Sequence, residues 1–171
     1  GQPLTLGGGA AAAGDITDGN GTAQDLGAVT VNNAGKTLQS DVTMTSLSIP
    51  SGGVTVGANT LTVGGALNVG GGTLTNSNGG GEVSVDGNVD FTGGGYTKGG
   101  LLRFNSGGAQ DLTSATQDLG DIQTSTNGTA VTLQDEGDFD TVTIDANTSV
   151  ITGANNLSAT GVTANGTLTA I

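Results

Sequence analysis

Residues 42–75 read VTMTSLSIPSGGVTVGANTLTVGGALNVGGGTLT. Apolar residues recur as pairs two positions apart, Val42/Met44, Leu47/Ile49, Val54/Val56, Leu61/Val63 and Leu67/Val69, which is the period of a strand with one face turned inward. The pair centres fall at 43, 48, 55, 62 and 68, with Leu74 following, so a new strand starts every five to seven residues and no helix fits in the gaps. A hairpin meander would need a turn after every strand of barely four residues. A coil of strands fits better: with every third strand stacked on itself, 43 lies over 62, 48 over 68 and 55 over 74. That is a repeat of about 19 to 20 residues per turn, the range of small parallel β-solenoids.

The pattern continues outward through Val83/Val85 and Val89/Phe91. Strong core formers are 15 Leu, 14 Val, 6 Ile and 3 Phe, 38 of 171 residues, which is too few for a thick globular core and enough for one narrow column per face of a coil. Glycine is 34 of 171 and proline 2, without the every-third-residue period of collagen. Corners between faces need φ > 0, and Asn can stack from rung to rung, which accounts for both residue types. The expected fold is therefore all-β, a parallel β-helix of about eight rungs of roughly 20 residues with three short strands each. At the rung spacing this is a rod about 40 Å long.

A longer repeat overlies the short one. Gln24-Asp25-Leu26-Gly27 recurs as Gln117-Asp118-Leu119-Gly120, Thr37-Leu38-Gln39 as Thr132-Leu133-Gln134, Gly57-Ala58-Asn59 as Gly153-Ala154-Asn155, and Gly72-Thr73-Leu74-Thr75 as Gly166-Thr167-Leu168-Thr169. Four matches in one order at offsets of 93 to 96 mark residues 24–75 and 117–169 as two copies of one multi-rung module within a single solenoid domain, 15–171.

The GANTLTV run at 57–63, the NGTLTA run at 165–170 and the LRFNSGGAQDL run at 102–112 resemble the Gly/Thr/Asn-rich repeats of bacterial surface and secreted β-helix proteins, including autotransporter passengers and filamentous-haemagglutinin-like adhesins. The resemblance implies a solenoid fold and an extracellular or cell-surface location. The motifs of pectate-degrading β-helix enzymes and the RTX nonapeptide are not recognisable in the chain.

Cysteine and histidine are absent, which removes thiolate and imidazole chemistry, disulfides and the zinc sites built on them. Fifteen acidic residues face Lys36, Lys98 and Arg103, a net charge of −12 that repels phosphate backbones, so no nucleic-acid partner is expected. No apolar run is long enough to span a membrane, and the first residues carry no signal-peptide pattern. Glycoside hydrolysis needs two carboxylates beside a sugar cleft. With one Tyr and no Trp, the platforms that usually line such a cleft are nearly missing, and no enzymatic activity is expected.

Asp111, Asp118, Asp121, Asp135, Glu136, Asp138, Asp140 and Asp145 lie in a stretch without Lys or Arg. The run Asp135, Glu136, Asp138 and Asp140, like Asp15, Asp18 and Asn20, offers oxygen ligands of the type Ca²⁺ takes, without EF-hand spacing. The alternative is a set of solvated corner carboxylates that keep the surface from self-adhesion. The pairs Thr43/Thr45, Thr60/Thr62, Thr73/Thr75, Thr141/Thr143 and Thr167/Thr169 would suit an ice-binding solenoid only if they stacked on one face. Asn-X-Ser/Thr triplets begin at Asn20, Asn127, Asn147, Asn156 and Asn165 and permit glycosylation.

The ends remain. Pro3-Leu4-Thr5-Leu6 is strand-like and tethered by glycines and alanines up to Gly14, either a segment that adds a strand to a neighbouring subunit or a small cap for the first rung. Gly166 to Ile171 runs in strand pattern without charge or proline. The expectation is an extracellular structural protein, a surface-filament subunit whose partners are copies of itself, joined head-to-tail through Pro3, Leu4, Thr5, Leu6, Leu168 and Ile171. The alternative is an adhesin passenger fragment that displays a binding surface. No cofactor is expected beyond possible Ca²⁺.

Overall fold

A computed structural model describes residues 4–7, 14–17, 25–32 and 35–170. Among them there is no helix, and the chain winds into three parallel sheets. Sheet A holds nine strands, β1 (Leu4–Gly7), β3 (Ala28–Asn32), β6 (Ser46–Ser48), β9 (Leu67–Asn68), β12 (Val89–Asp90), β15 (Ala109–Thr113), β17 (Ala130–Leu133), β19 (Ser149–Gly153) and β21 (Thr167–Ala170). Sheet B holds five, β2 (Gly14–Ile16), β4 (Gly35–Leu38), β7 (Gly53–Thr55), β10 (Thr73–Thr75) and β13 (Gly95–Thr97). Sheet C holds seven, β5 (Val42–Met44), β8 (Thr60–Val63), β11 (Glu82–Val85), β14 (Leu101–Phe104), β16 (Asp121–Thr124), β18 (Gly137–Ile144) and β20 (Leu157–Ala164). The result is a β-solenoid of about seven turns.

The register follows the sequence spacing closely. Thr43 pairs with Thr62 and Ser48 with Asn68, as the pair centres require. On sheet B the stack is Val54 over Leu74 and Thr55 over Thr75, one residue away from 55 over 74. Parity explains the difference: 55 is an outward position and Leu74 an inward one, and stacking them would turn an apolar side chain into solvent. Turn length varies along the rod, with Leu4 over Val29, Leu47 over Leu67, Val89 over Leu112 and Val150 over Leu168, so the repeat is not a constant 20 residues and about seven turns form where eight rungs were expected.

Inward positions form continuous columns. On sheet C, Val42, Leu61, Val83, Leu102, Ile122 and Val142 stack and are all buried. Each such side chain, once fully buried, contributes about 1.5–3 kcal/mol. The second sheet C column runs Met44, Val63, Val85, Phe104 and then Thr124, whose buried hydroxyl bonds to Thr148 Oγ1 at 2.6 Å. Gln110 is buried too. Its Nε2 donates to the carbonyls of Val85 at 3.0 Å and Gly87 at 2.6 Å, so the interior amide is hydrogen-bonded.

Sheet B stops at β13, and a side chain takes over there. In the next rung Gln117 Oε1 accepts from Tyr96 N at 2.7 Å while its Nε2 donates to Gly94 O at 3.1 Å. The glutamine amide therefore pairs with the edge of β13 where a strand would otherwise lie. Beyond this level the third side of the rung is the first half of the eight-residue strand β18, on which the first half of β20 stacks, Phe139 over Ala159.

The repeated motifs make the same local structure. Asp25 and Asp118 each sit in an isolated bridge, with Thr43 and Asp138, and each accepts from the glycine two residues on, Gly27 at 2.8 Å and Gly120 at 3.0 Å. Those glycines have φ of 75° and 70°, in the left-handed region that favours glycine. The first motif leads into β3 of sheet A and the second into β16 of sheet C. The second copy is thus turned by one side of the coil relative to the first.

Candidate functional site

The last turn is built like an interior rung and lacks a neighbour on its outer side among the described residues. Val162 stacks on Val142, and Leu168 on Val150. The lower residue of each pair is fully buried, whereas Val162 is 48% and Leu168 43% exposed. These are the exposed large hydrophobic residues of the described chain. β20 and β21 are the terminal strands of sheets C and A, and residues 146–171 contain no Asp, Glu, Lys or Arg. Charges and prolines are the usual means of blunting a sheet edge, and this edge has neither.

At the opposite end, Leu4–Gly7 is the first strand of sheet A, parallel to β3 with Thr5 opposite Thr30. It is seated on its own rod, and the four-residue pairing covers the edge of β3. Gly14–Ile16 follows as the first strand of sheet B. Of the residues expected to join copies, Leu168 is exposed at the terminal rung and Thr5 is exposed on β1, while Leu4 and Leu6 occupy β1. Pro3, Ile171 and residues 8–13 of the expected tether lie outside the described residues.

The acidic run does not converge. Asp135 accepts from Ser114 N at 2.8 Å, Ser114 Oγ at 3.0 Å and Ala115 N at 2.6 Å, which fixes a turn where Ala115 and Thr116 have φ of 55° and 60°. Glu136 accepts from Asn156 Nδ2 at 3.1 Å, and Asp138 bridges to Asp118. Asp140 faces Lys98 at 2.7 Å. Glu136 and Asp138 share the wall of a hollow of about 250 Å³ with Thr116, Gly137, Asn156 and Ser158. Among the described residues no three carboxylates are grouped so as to hold a metal ion. Asp15 lies on β2, whereas Asp18 and Asn20 are outside the described residues.

Instead, two cations tie the carboxylates together across rungs. Lys98 Nζ bonds Asp118 one rung on and Asp140 two rungs on, spanning the level at which sheet B ends. The Asp118 bond, and then the Asp140 bond, raise the Lys98 pKa above its ordinary value, and the Lys98 bond holds Asp118 below its own. Arg103 pairs with Glu82: Nη2 donates to Oε2 at 3.0 Å, and Nε lies 2.9 Å from Oε1. Asp25 is held below the usual carboxylate range by the Thr45 hydroxyl and then by Gly27 N–H. Neither clamp is evident from the sequence until the rung length is known, after which Lys98, Asp118 and Asp140 fall at successive levels.

The threonine pairs are divided among the sheets. Thr73/Thr75 lies on sheet B, Thr167/Thr169 on sheet A, and Thr60/Thr62 and Thr141/Thr143 on sheet C with the Glu82/Ser84, Leu101/Arg103 and Asp121/Gln123 levels between them. Sheet B does carry one column of single threonines, Thr37, Thr55, Thr75 and Thr97. On sheet A a trough of about 350 Å³ is rimmed by Asn68, Asn88, Asp90, Asp111, Thr113 and Gln134.

No protein-family model, no curated protein and no solved structure matches the chain.

Proposed function

We propose that this is an extracellular structural protein whose copies join head-to-tail into a surface filament. The observation that carries the reading is the parallel coil, whose ladders offer at any uncovered rung the backbone groups and apolar columns that a further rung would pair with. Val162 and Leu168 stand in core columns and are nonetheless about half exposed, on an edge without charge. Covering them with another rung would remove apolar surface from water and satisfy the edge backbone groups in one step. The contact is heterologous, tip against foot, and therefore propagates instead of closing. The flanks favour the same geometry, because 11 of the 15 acidic residues lie between Glu82 and Asp145 and like-charged sides repel lateral contact.

Negative-stain microscopy of the purified 171-residue chain tests the proposal. Thin fibres are expected, and they should be lost in Leu168→Asp while the β-type circular dichroism remains, since Leu168 is exposed and its replacement leaves the inner rungs intact. A chain that stays a monodisperse monomer at millimolar concentration would sink the reading.

A further inference from the structure

We propose that Asn78 is a site of self-modification, at which the side-chain amide closes on the nitrogen of Gly79 and is converted to a carboxylate. Asn-Gly is the step at which this chemistry is least hindered, because glycine has no Cβ to keep its nitrogen from the preceding side chain. The chain has four such steps, at Asn20, Asn78, Asn127 and Asn165, and the first lies outside the described residues. The other three differ in what holds the glycine N–H. Gly128 N donates to Asn147 O at 3.0 Å and Gly166 N to Ile144 O at 3.1 Å, each across to a neighbouring rung. Gly79 N has no acceptor among the described residues.

The surroundings of Asn78 favour the closure as well. Its Oδ1 accepts from Gly80 N at 3.0 Å, which holds the side chain against its own backbone and draws electron density from Cγ. Ser77 to Gly80 are exposed, and a Cβ on Gly79 or Gly80 would meet nothing closer than 3.6 Å, so the loop between β10 and β11 has room to turn. In the reaction Gly79 N gives up its proton and bonds to Cγ, and the side-chain nitrogen leaves as ammonia, closing a succinimide ring. Water then opens the ring at either carbonyl. Attack at Cγ leaves an aspartate at position 78, and attack at the main-chain carbonyl leaves isoaspartate, with the backbone routed through Cβ and Cγ. Both products add one negative charge to a chain that already carries −12. The branched product rearranges the turn bond from Gly81 N to Asn78 O, 2.7 Å in the unmodified chain. The ladder bonds on either side, Asn76 N to Thr97 O at 2.8 Å and Glu82 N to Asn59 O at 3.1 Å, use none of the altered atoms, so the coil keeps its rungs.

The sparse cations make the site directly readable. Tryptic cleavage of the denatured chain after Lys36, Lys98 and Arg103 puts Asn78 in the fragment 37–98 and both Asn127 and Asn165 in 104–171. The folded protein is held in mildly alkaline buffer and sampled over weeks, each asparagine is followed by fragment mass spectrometry, and an isoaspartate methyltransferase assay marks the branched product. Asn78 should convert about tenfold faster than Asn127 or Asn165, the factor by which one amide hydrogen bond that must open first slows them. In denaturant the three should convert at similar rates. Conversion of Asn127 or Asn165 in the folded chain as fast as that of Asn78 would overturn the assignment, as would folding that slows all three alike. Gly79→Ala, whose methyl group has room, should slow Asn78 and leave Asn127 and Asn165 at the parent rate. An unchanged Asn78 in that variant would mean direct hydrolysis of the amide, without closure on residue 79.

Discussion

Asn155 repeats the bond that Asn59 makes on another side of the rod. Asn59 Nδ2 donates to Leu38 O at 2.7 Å and Asn155 Nδ2 to Leu133 O at 2.8 Å, each reaching back one rung to the leucine of the repeated Thr-Leu-Gln motif. Two of the sequence matches are therefore the two halves of one interaction, and Leu38 lies in sheet B whereas Leu133 lies in sheet A. The repeat conserves a corner, not a face. Replacing either asparagine by alanine leaves a corner carbonyl without its side-chain donor.

Asn59→Ala and Asn155→Ala should each lower unfolding stability by about 1–3 kcal/mol. The sites share no partner, so the double variant should show the sum within about 0.5 kcal/mol. Chemical denaturation in the Leu168→Asp background measures both, and a neutral Asn155→Ala would contradict the equivalence of the two corners.

The Lys98 clamp sets a pH window. Asp118 is depressed in the folded state, so its contribution is present above about pH 4 and is lost as the pH falls through the lower folded value. Lys98 is raised, so its contribution is present below about pH 10 and is lost as the pH rises past it. Lys98→Met should therefore melt below the parent throughout pH 5–9, and the difference should vanish in strong acid. A difference that persists at about pH 2 would show that the lysine acts through packing and not through charge.

Tyr96 is the single tyrosine, packed on the Phe91 ring at a centroid distance of 5.1 Å and an interplanar angle of 48°, and its hydroxyl accepts from Asn76 Nδ2 at 3.3 Å. Burial pushes its hydroxyl up to about 12. The unfolded chain gives up that proton near pH 10 and the folded one holds it, so stability falls as the pH rises beyond about 10. Tyrosinate absorbance should titrate near pH 12 in the folded protein and near 10 in denaturant. A folded midpoint near 10 would place the ring in solvent.

Gly100 and Gly108 should respond differently to the same methyl group. A Cβ on Gly100 would lie 2.5 Å from Asn76 Oδ1, an atom fully buried, whereas one on Gly108 meets nothing within 4 Å. Gly100→Ala should cost about 1–3 kcal/mol through overpacking, and Gly108→Ala should stay within about 0.5 kcal/mol of the parent. Paired denaturation curves decide it.

The apolar pairs of residues 42–75 were sufficient to read the coil, because each stands alone between polar corners and only one stacking order keeps them inside. The second half was less legible. Residues 114–120, Ser-Ala-Thr-Gln-Asp-Leu-Gly, contain no alternating pair, so nothing in them announces that Gln117 will stand beside β13 in place of a strand. Gln110, Thr124 and Thr148 are polar and carry no signal of burial in the sequence, yet they are buried and bonded to each other or to the backbone. The acidic run read as possible ligands because composition gives oxygen atoms without directions. The structure sends Asp135 inward along the rod to a turn and Asp140 sideways to a lysine. Leu168 was legible as an edge residue because the alternation runs uninterrupted to the end of β21.

The hydrogen bonds of the ladders run along the length of the rod, so tension applied between its tips would load successive rungs in series, and the weakest level would set the strength of the whole. That level is where β13 meets the Gln117 amide, since sheets A and C and one side chain carry there what sheets A, B and C carry in the turns before it. Lys98 straddles the same level with a bond to each of the next two. A strand of such units would yield first at one seam in every copy, extending by a fixed step before any copy unravels.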